Sequence, residues 1–493
     1  YLLARLVALA DQEGFLVVRP RSLSSNGPSG TIYRWDENPG DLERNVAYTK
    51  TLLAHLAQQL HLDSERMYAS GFSSGSNMVA QFLADPEDTF AGLGLMAGGI
   101  WADPGIGDLG GRQERFYAVT GFRDYLHFTW VRLSTLLDAQ GMDPALRWER
   151  QVDAGHELHG WHFEEMWHWL DRGQRPQPEP QAPEWSPMPG PEGDVSGLEL
   201  AQAPDGALIL AGSAGSLWRQ PAGSGTWLKA ADVVADLAVV GVQLQDYRPA
   251  LTGLCLLDDG RGVAVGEGAV VLTDDGGMTW GSAENLPALG EGAQLGTSYL
   301  NGVACKEPST LVAAGYWSGA FSDTAGTTWS NSDLSYSPGA PAQLTALDAS
   351  PWGTVMAVGY FYLGRSDEGQ TFETLPLPTT VGWLNDVKAG PDGLWWAVGD
   401  GGVILHSADD GETWRAQRAF GSGDDLYAVD VWDADRALAV GARGAAVVTT
   451  NGGLTWRSVP TGQDGFLGDV LWLDATEAIT VGQNGTMLRY TAP

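Results

Sequence analysis

The stretch with the clearest chemical promise is Gly71-Phe72-Ser73-Ser74-Gly75, which matches G-x-S-x-G. It lies between an apolar run, Arg66–Ser70, and a helix-like run, Ser76–Ala84. A serine on a sharp strand-to-helix turn holds its hydroxyl clear of its neighbours, and the flanking glycines let the backbone turn. Such a hydroxyl needs a general base beside it and an acid behind the base, in chain order acid then histidine. Asp124 follows the apolar run Arg115–Val119, and His156 follows the run Arg147–Val152. His156 is expected to take the Ser73 proton, and Asp124 to fix the imidazole tautomer and stabilise the imidazolium. The backbone N–H of Ser74 would be an oxyanion donor. Each residue also has a plainer reading: an ordinary turn at Ser73, a helix N-cap at Asp124, a surface-loop histidine at His156. His159 is the weaker alternative base.

Four of the eight histidines, His156, His159, His162 and His168, fall within 13 residues. Their spacing is not H-E-x-x-H, and no nearby acidic motif completes a site. Neither a metal nor a cofactor is expected.

These residues need a frame. Strands are expected at Phe15–Pro20, Arg66–Ser70, Ala91–Met96, Arg115–Val119 and Arg147–Val152. Helices are expected at Tyr1–Gln12, Asp41–Leu60, Ser76–Ala84, Asp124–Gln140 and His162–Arg172. Such alternation indicates a parallel sheet with helices on both faces. Asp63-Ser64-Glu65-Arg66-Met67-Tyr68-Ala69-Ser70-Gly71-Phe72-Ser73-Ser74-Gly75 resembles the elbow of α/β-hydrolases of the polyhydroxybutyrate depolymerase and feruloyl esterase type. The resemblance covers roughly residues 1–172. It implies an esterase with a Ser-His-Asp triad made of Ser73, His156 and Asp124. Ser76 stands where that family usually has a second glycine. The resemblance also places the family's first strands and its His-Gly oxyanion loop before residue 1, so the chain as it stands is expected to be slow or inactive. One lost oxyanion donor costs about 10²–10³ in rate.

A Pro-rich segment, Arg175–Pro187, reads as an extended linker. Beyond it a small apolar residue followed by Gly recurs at Gly212, Gly266, Gly315, Gly359, Gly399, Gly441 and Gly482, with spacings of 54, 49, 44, 40, 42 and 41. An aromatic landmark follows about 15 residues later, at Trp227, Trp280, Trp329, Phe372, Trp414 and Trp456. Periods of this length with several short strands per unit indicate propeller blades. Seven glycine landmarks give seven blades, but the chain ends before a seventh aromatic. One period before Trp227 stands Trp185. Glu184–Ser186 is therefore expected to close the ring as the outer strand of the blade built from Leu467–Tyr490.

Thr273-Asp274-Asp275-Gly276-Gly277-Met278-Thr279-Trp280 and Ser407-Ala408-Asp409-Asp410-Gly411-Glu412-Thr413-Trp414 fit S/T-x-D-x-G-x-T-W. They resemble the Asp-boxes (BNR-like repeats) of sialidases and, with V-G-x-x-G ahead of them, the propellers of photosystem II assembly factors. The expected role is a turn staple rather than a ligand site. With ten arginines spread through residues 176–493 and no cluster, sialidase activity is not expected. Trp317, Trp352, Tyr360, Phe361, Tyr362, Trp383, Trp395, Trp396, Trp432 and Trp472 fall outside the box position. They divide between core and a binding face. Cys255 and Cys305 are expected as buried free thiols rather than a disulfide.

The fold class expected is multidomain, an incomplete α/β-hydrolase-like parallel sheet followed by an all-β seven-bladed propeller. The boundaries are 1–174 for the esterase domain, 175–182 for the linker and 183–493 for the propeller. The net charge of −33 argues against nucleic-acid partners and anionic membranes. No apolar run is long enough for a membrane span. The function expected is hydrolysis of a carboxylic ester, with a polymeric ester as one substrate class. The propeller would bind substrate or a protein or glycan partner. The rival is a non-catalytic interaction or assembly protein with a remnant hydrolase domain. An extracellular or periplasmic location is expected.

Overall fold

The computed structural model describes residues 2–20, 24–25, 33–34, 39–87, 89–101, 103–156, 158, 160–175, 181–193, 195–239, 242–283, 300–306, 308–316, 319–332, 335–337, 340–341, 343–379, 381–418 and 423–492. His159, Trp317 and most of the expected linker lie outside the described residues. The chain divides into two units, Tyr1–Gln177 and Pro178–Pro493.

The first unit is built on a four-stranded parallel sheet in sequence order: β1 (Tyr68–Phe72), β2 (Gly92–Met96), β3 (Arg115–Gly121) and β4 (Arg147–Val152). Every neighbouring pair is parallel. The two central strands read as near-continuous buried runs, as strands covered on both faces must. The helices are α1 (Leu2–Glu13), α2 (Pro39–Ala57), α3 (Ser74–Ala80), α4 (His127–Ala139) and α5 (Gly160–Arg172). Met78 of α3 and Leu133 and Leu137 of α4 share a core with Leu93, Leu95 and Phe116 of the sheet. Helix α5 is tied to β3 by the Trp169 indole N–H, which donates to the Phe116 carbonyl at 2.9 Å.

One expected strand is absent. Residues 15–20 form no ladder, although their exposure alternates as a strand's would. Phe15 is held by stacking on Trp167 of α5, ring centroids 3.9 Å apart, and Leu16 and Val18 face water.

The second unit is a propeller of seven four-stranded antiparallel blades. The innermost strands are Gly197–Gln202, Leu251–Leu256, Leu300–Lys306, Leu344–Ala349, Leu384–Ala389, Leu426–Val431 and Leu467–Trp472. Extra hairpins at Ala235–Val239 with Val242–Tyr247, and Ser335–Ser337 with Ala340–Pro341, lengthen two of the wider repeat spacings. The last blade closes with Trp185–Pro187, which pairs antiparallel to Leu488–Tyr490. Trp185 is buried, and its indole N–H donates to the Val459 carbonyl at 2.7 Å.

The T-W turns are stapled from within. In the second blade the Asp275 carboxylate accepts the backbone N–H groups of Met278 and Thr279, each at 2.9 Å, and the Thr279 hydroxyl at 2.6 Å. Asp409 accepts the Thr413 N–H at 2.8 Å and the Thr413 hydroxyl at 2.5 Å. Burial alone would raise the pKa of Asp275, but the hydroxyl and amide bonds around Thr279 hold it below the usual carboxylate range. Among the aromatics outside the box position, Tyr362, Trp383, Trp395, Trp396 and Trp472 are core. Trp352, Tyr360, Phe361 and Trp432 are exposed.

The cysteines differ from expectation. Cys255 and Cys305 form a disulfide, with Cα atoms 5.7 Å apart. They stand on the innermost strands of adjacent blades, and these strands converge toward the propeller axis, bringing the side chains within bonding reach. A bridge closing a loop of 50 residues is worth about 4 kcal/mol by loop-closure entropy. The Cys255→Ser/Cys305→Ser double variant should lose about that much in denaturant titration of the propeller transition.

Ring closure predicts unequal effects of truncation. A chain beginning at residue 176 keeps Trp185–Pro187, whereas one beginning at residue 189 loses it. The shorter chain should melt markedly lower. Trp185→Ala in the full chain should cost about 3–5 kcal/mol. Equal melting of the two truncated chains would show that this strand does not close the ring.

Candidate active site

The turn between β1 and α3 is set by backbone contact. A Cβ on Gly71 would lie 2.1 Å from the Gly75 carbonyl oxygen, so only glycine fits there. Gly75, by contrast, has open space where a Cβ would be. Ser73 between them has φ 56° and ψ −121°, an unfavourable conformation for a residue with a side chain. Its N–H donates to the Met96 carbonyl at 3.0 Å, fixing the turn to the end of β2. Ser74 opens α3, so its N–H is one of the helix-start donors without an acceptor inside the helix.

Ser76 has a structural use that glycine could not supply. Its buried hydroxyl lies 2.8 Å from the Gly71 carbonyl oxygen and 2.7 Å from that of Met96, sharing one proton between them. It accepts the Met96 N–H at 3.0 Å.

The structure brings Ser73, His156 and Asp124 into one hydrogen-bonded row. His156 Nε2 is 2.9 Å from Ser73 Oγ, and His156 Nδ1 is 2.9 Å from Asp124 Oδ1. The Asp124 side chain is wholly buried and that of His156 is 13% exposed. Helix α4 begins at His127, later than expected, and Asp124 sits in the turn ahead of it. Its Oδ1 also accepts the Leu126 N–H at 2.7 Å within that turn, but the N-cap position belongs to Leu126, so Asp124 is not the helix N-cap that its plainer reading expects.

The sequence reading did not single out the groups around this row. The His156 ring packs against Phe72 and Tyr125, with centroids at 5.0 Å and 4.6 Å. Arg123, next to Asp124 in sequence, and Asp153, three residues before His156, form a buried ion pair. All four are next to, or within three residues of, a residue already named, but adjacency in sequence says nothing about which way a side chain turns. Among the described residues no group of three or more His, Cys, Asp or Glu is arranged to hold a metal ion.

A parallel sheet with a nucleophile-type elbow at the carboxyl end of one strand defines an α/β-hydrolase-like unit, and the second unit is a propeller. The family described as Esterase PHB depolymerase matches residues 3–106. A poly(3-hydroxyalkanoate) depolymerase C from Paucimonas lemoignei is 33% identical over 95 residues, 19% of this chain and 22% of that protein. The chain thus spans about a fifth of that relative's length. The family match includes Ser73 but stops short of Asp124 and His156. The first unit therefore resembles a depolymerase-type esterase domain. A structure of YCF48 bound to D1 peptide shares the propeller fold with a TM-score of 0.50 at 20% identity, covering 64% of this chain and 98% of that one. YCF48 from Cyanidioschyzon merolae gives 0.48 at 14% identity, covering 62% and 98%.

His127 supplies a pH test of this region. Its ring is buried against Phe122 and Trp130, and neither nitrogen has a hydrogen-bond partner among the described residues. Burial lowers its pKa from 6.5 to about 4, against the pull of the Asp124 charge. The fold thus holds the neutral ring, while the unfolded chain protonates it. The stability this gives is complete above pH 6.5 and is lost as the pH falls toward 4. The loss should approach about 3 kcal/mol, read from hydrogen exchange of the β3 and α4 amides. His127→Phe should flatten that dependence.

Proposed function

We propose that this protein is a carboxylic ester hydrolase acting through an acyl-enzyme on Ser73. The observation that carries the reading is the Ser73–His156–Asp124 row, with 2.9 Å at both junctions, on a strained elbow. His156 Nε2 takes the proton as Ser73 Oγ attacks the ester carbonyl carbon. Asp124 keeps the other ring proton on Nδ1 and stabilises the imidazolium. The Ser74 N–H donates to the oxyanion of the tetrahedral intermediate. His156 returns the proton to the departing alcohol, leaving the acyl group on Ser73. A water activated by His156 then attacks that ester, and the carboxylic acid leaves as Ser73 recovers its proton.

The likeness of the first unit to a poly(3-hydroxyalkanoate) depolymerase supports a polymeric ester as substrate. The propeller is the binding module in this reading, for the substrate or for a protein or glycan partner. The peptide held by YCF48, whose fold it shares, is a precedent for a protein partner. An extracellular or periplasmic site of action fits the Cys255–Cys305 disulfide, since such bonds persist in oxidising compartments. Among the described residues no helix is long and apolar enough to cross a membrane.

The test is hydrolysis of short p-nitrophenyl esters by the parent and by Ser73→Ala. Loss of the nucleophile should lower the rate by about 10⁴-fold or more, with His156→Ala comparably impaired. Equal rates for Ser73→Ala and a parent that hydrolyses the ester above background would remove Ser73 as the nucleophile.

A further inference from the structure

Asp124 and His156 stand on loops that leave adjacent strands. The β3–β4 ladder ends at Gly121 opposite Val152. Beyond that point the two loops could diverge, yet they stay in contact. The Phe122 N–H donates to the Val152 carbonyl at 2.8 Å, and the Arg123 N–H to the Ala154 carbonyl at 3.0 Å. At Gly121 the backbones press together so closely that a Cβ would lie 1.9 Å from the Ala154 oxygen.

Across this seam the Arg123 guanidinium grips the Asp153 carboxylate with both arms of its fork. Nε to Oδ1 is 2.8 Å and Nη2 to Oδ2 is 3.0 Å. The two side chains are 5% and 0% exposed. Arg123 directly precedes Asp124, and Asp153 lies three residues before His156. A buried pair of this kind is a poor adhesive. Desolvation of both ions offsets most of their attraction, and apolar substitutes of similar volume are often neutral or stabilising. Burial pushes the Asp153 carboxyl up even with Arg123 beside it. What a bidentate fork supplies is direction, because two parallel bonds fix distance and rotation together.

We propose that the Arg123–Asp153 pair is a clamp that holds the acid loop and the base loop in register, keeping Asp124 on His156 Nδ1. Both are positioning residues, and their effect on rate rests on the esterase reading above. Their effect on the Asp124–His156 bond does not. The need is physical: Asp124 reaches His156 through one 2.9 Å contact on a ring that is partly open to water. A displacement of about 1 Å in such a contact can cost 10²-fold in rate.

The test uses the full chain with ¹⁵N-labelled histidine. A His156 Nδ1–H bonded to a buried carboxylate gives a far-downfield proton resonance, whether or not the protein hydrolyses anything. Arg123→Met/Asp153→Leu removes both charges and leaves neither stranded, while Arg123→Lys keeps the charge and loses the fork. Both variants should melt cooperatively, lose or shift the resonance, and react with a fluorophosphonate at Ser73 about tenfold or more slowly. Folded variants that keep the resonance and the labelling rate would overturn the clamp. So would a parent without the resonance. If both variants fail to fold, the pair is purely structural and the clamp is again overturned. A parent that shows the resonance but takes no label would sink the esterase reading alone, and the resonance in the variants would still decide the clamp.

Discussion

A close approach of backbone to backbone governs the first unit. The end of β1 and the start of α3 are pressed together at Gly71 and Gly75, and the chain between them has one way round. Ser73 is caught at the apex with a positive φ, and its N–H, bonded to Met96, prevents it from relaxing. Such a conformation costs about 1–3 kcal/mol and persists only where the surroundings over-determine it. Here the buried residues of α3, Ser76–Ala80, and the Ser76 hydroxyl across two strand ends provide that hold. The strain places Ser73 Oγ at the carboxyl edge of the sheet. The loops after β3 and β4 emerge at the same edge, where open α/β sheets carry their ligand sites.

This explains what was legible in the sequence and what was not. Gly71 and Ser73 announce the elbow because a close approach and a sharp turn leave few residue types to choose from. The order Ser73, Asp124, His156 follows the order of the strands, so parallel topology alone put the three at one edge. The failure at residues 15–20 has the opposite cause. An apolar alternating run shows that one face is covered but not by what, and here Phe15 stacks on Trp167 of α5 rather than on a neighbouring strand. Arg123 and Asp153 are hidden for a similar reason. A charged residue in a loop is ordinarily solvated, and only the fold reveals that these two are buried and paired.

In the propeller, a period enforced seven times is easy to see, and closure followed from counting it. Trp185 sits 42 residues before Trp227 and occupies the place the last blade lacked. The uneven early spacings gave no hint of hairpins, because an insertion alters a period without saying what it builds. The disulfide was missed because sequence fixes the position of a cysteine along its strand but not the convergence of neighbouring blades. Cys255 and Cys305 are 50 residues apart in the chain and 5.7 Å apart between Cα atoms.

Both units use buried charge for placement. In the propeller, Asp348 accepts the Ala389 N–H at 2.9 Å, Asp386 that of Val429 at 2.9 Å, Asp430 that of Trp472 at 2.6 Å and Asp469 that of Leu200 at 2.6 Å. Each carboxylate reaches from the inner strand of one blade to that of the next. Burial pushes Asp430 and Asp469 up, and Lys388 in their midst draws both down. Lys388 is held protonated by Asp348 first and then by the other three. Burial prevails for Asp469, which is raised to about 8 and so is largely protonated at neutral pH, and a buried cluster of this kind is a weak source of net stability once desolvation is counted. Each carboxyl oxygen nonetheless holds one backbone N–H of the next inner strand in a fixed direction. These staples act with the Asn301, Thr345 and Asn385 side chains, which donate to carbonyls of the next inner strand, and with the Cys255–Cys305 disulfide to stop one inner strand sliding past the next, because apolar contacts between repeated Leu and Val side chains would be nearly as good one register away. In the first unit the two loops beyond the ladder are tied by the Phe122–Val152 and Arg123–Ala154 backbone bonds, and the proposed Arg123–Asp153 clamp adds direction to a seam the backbone already closes.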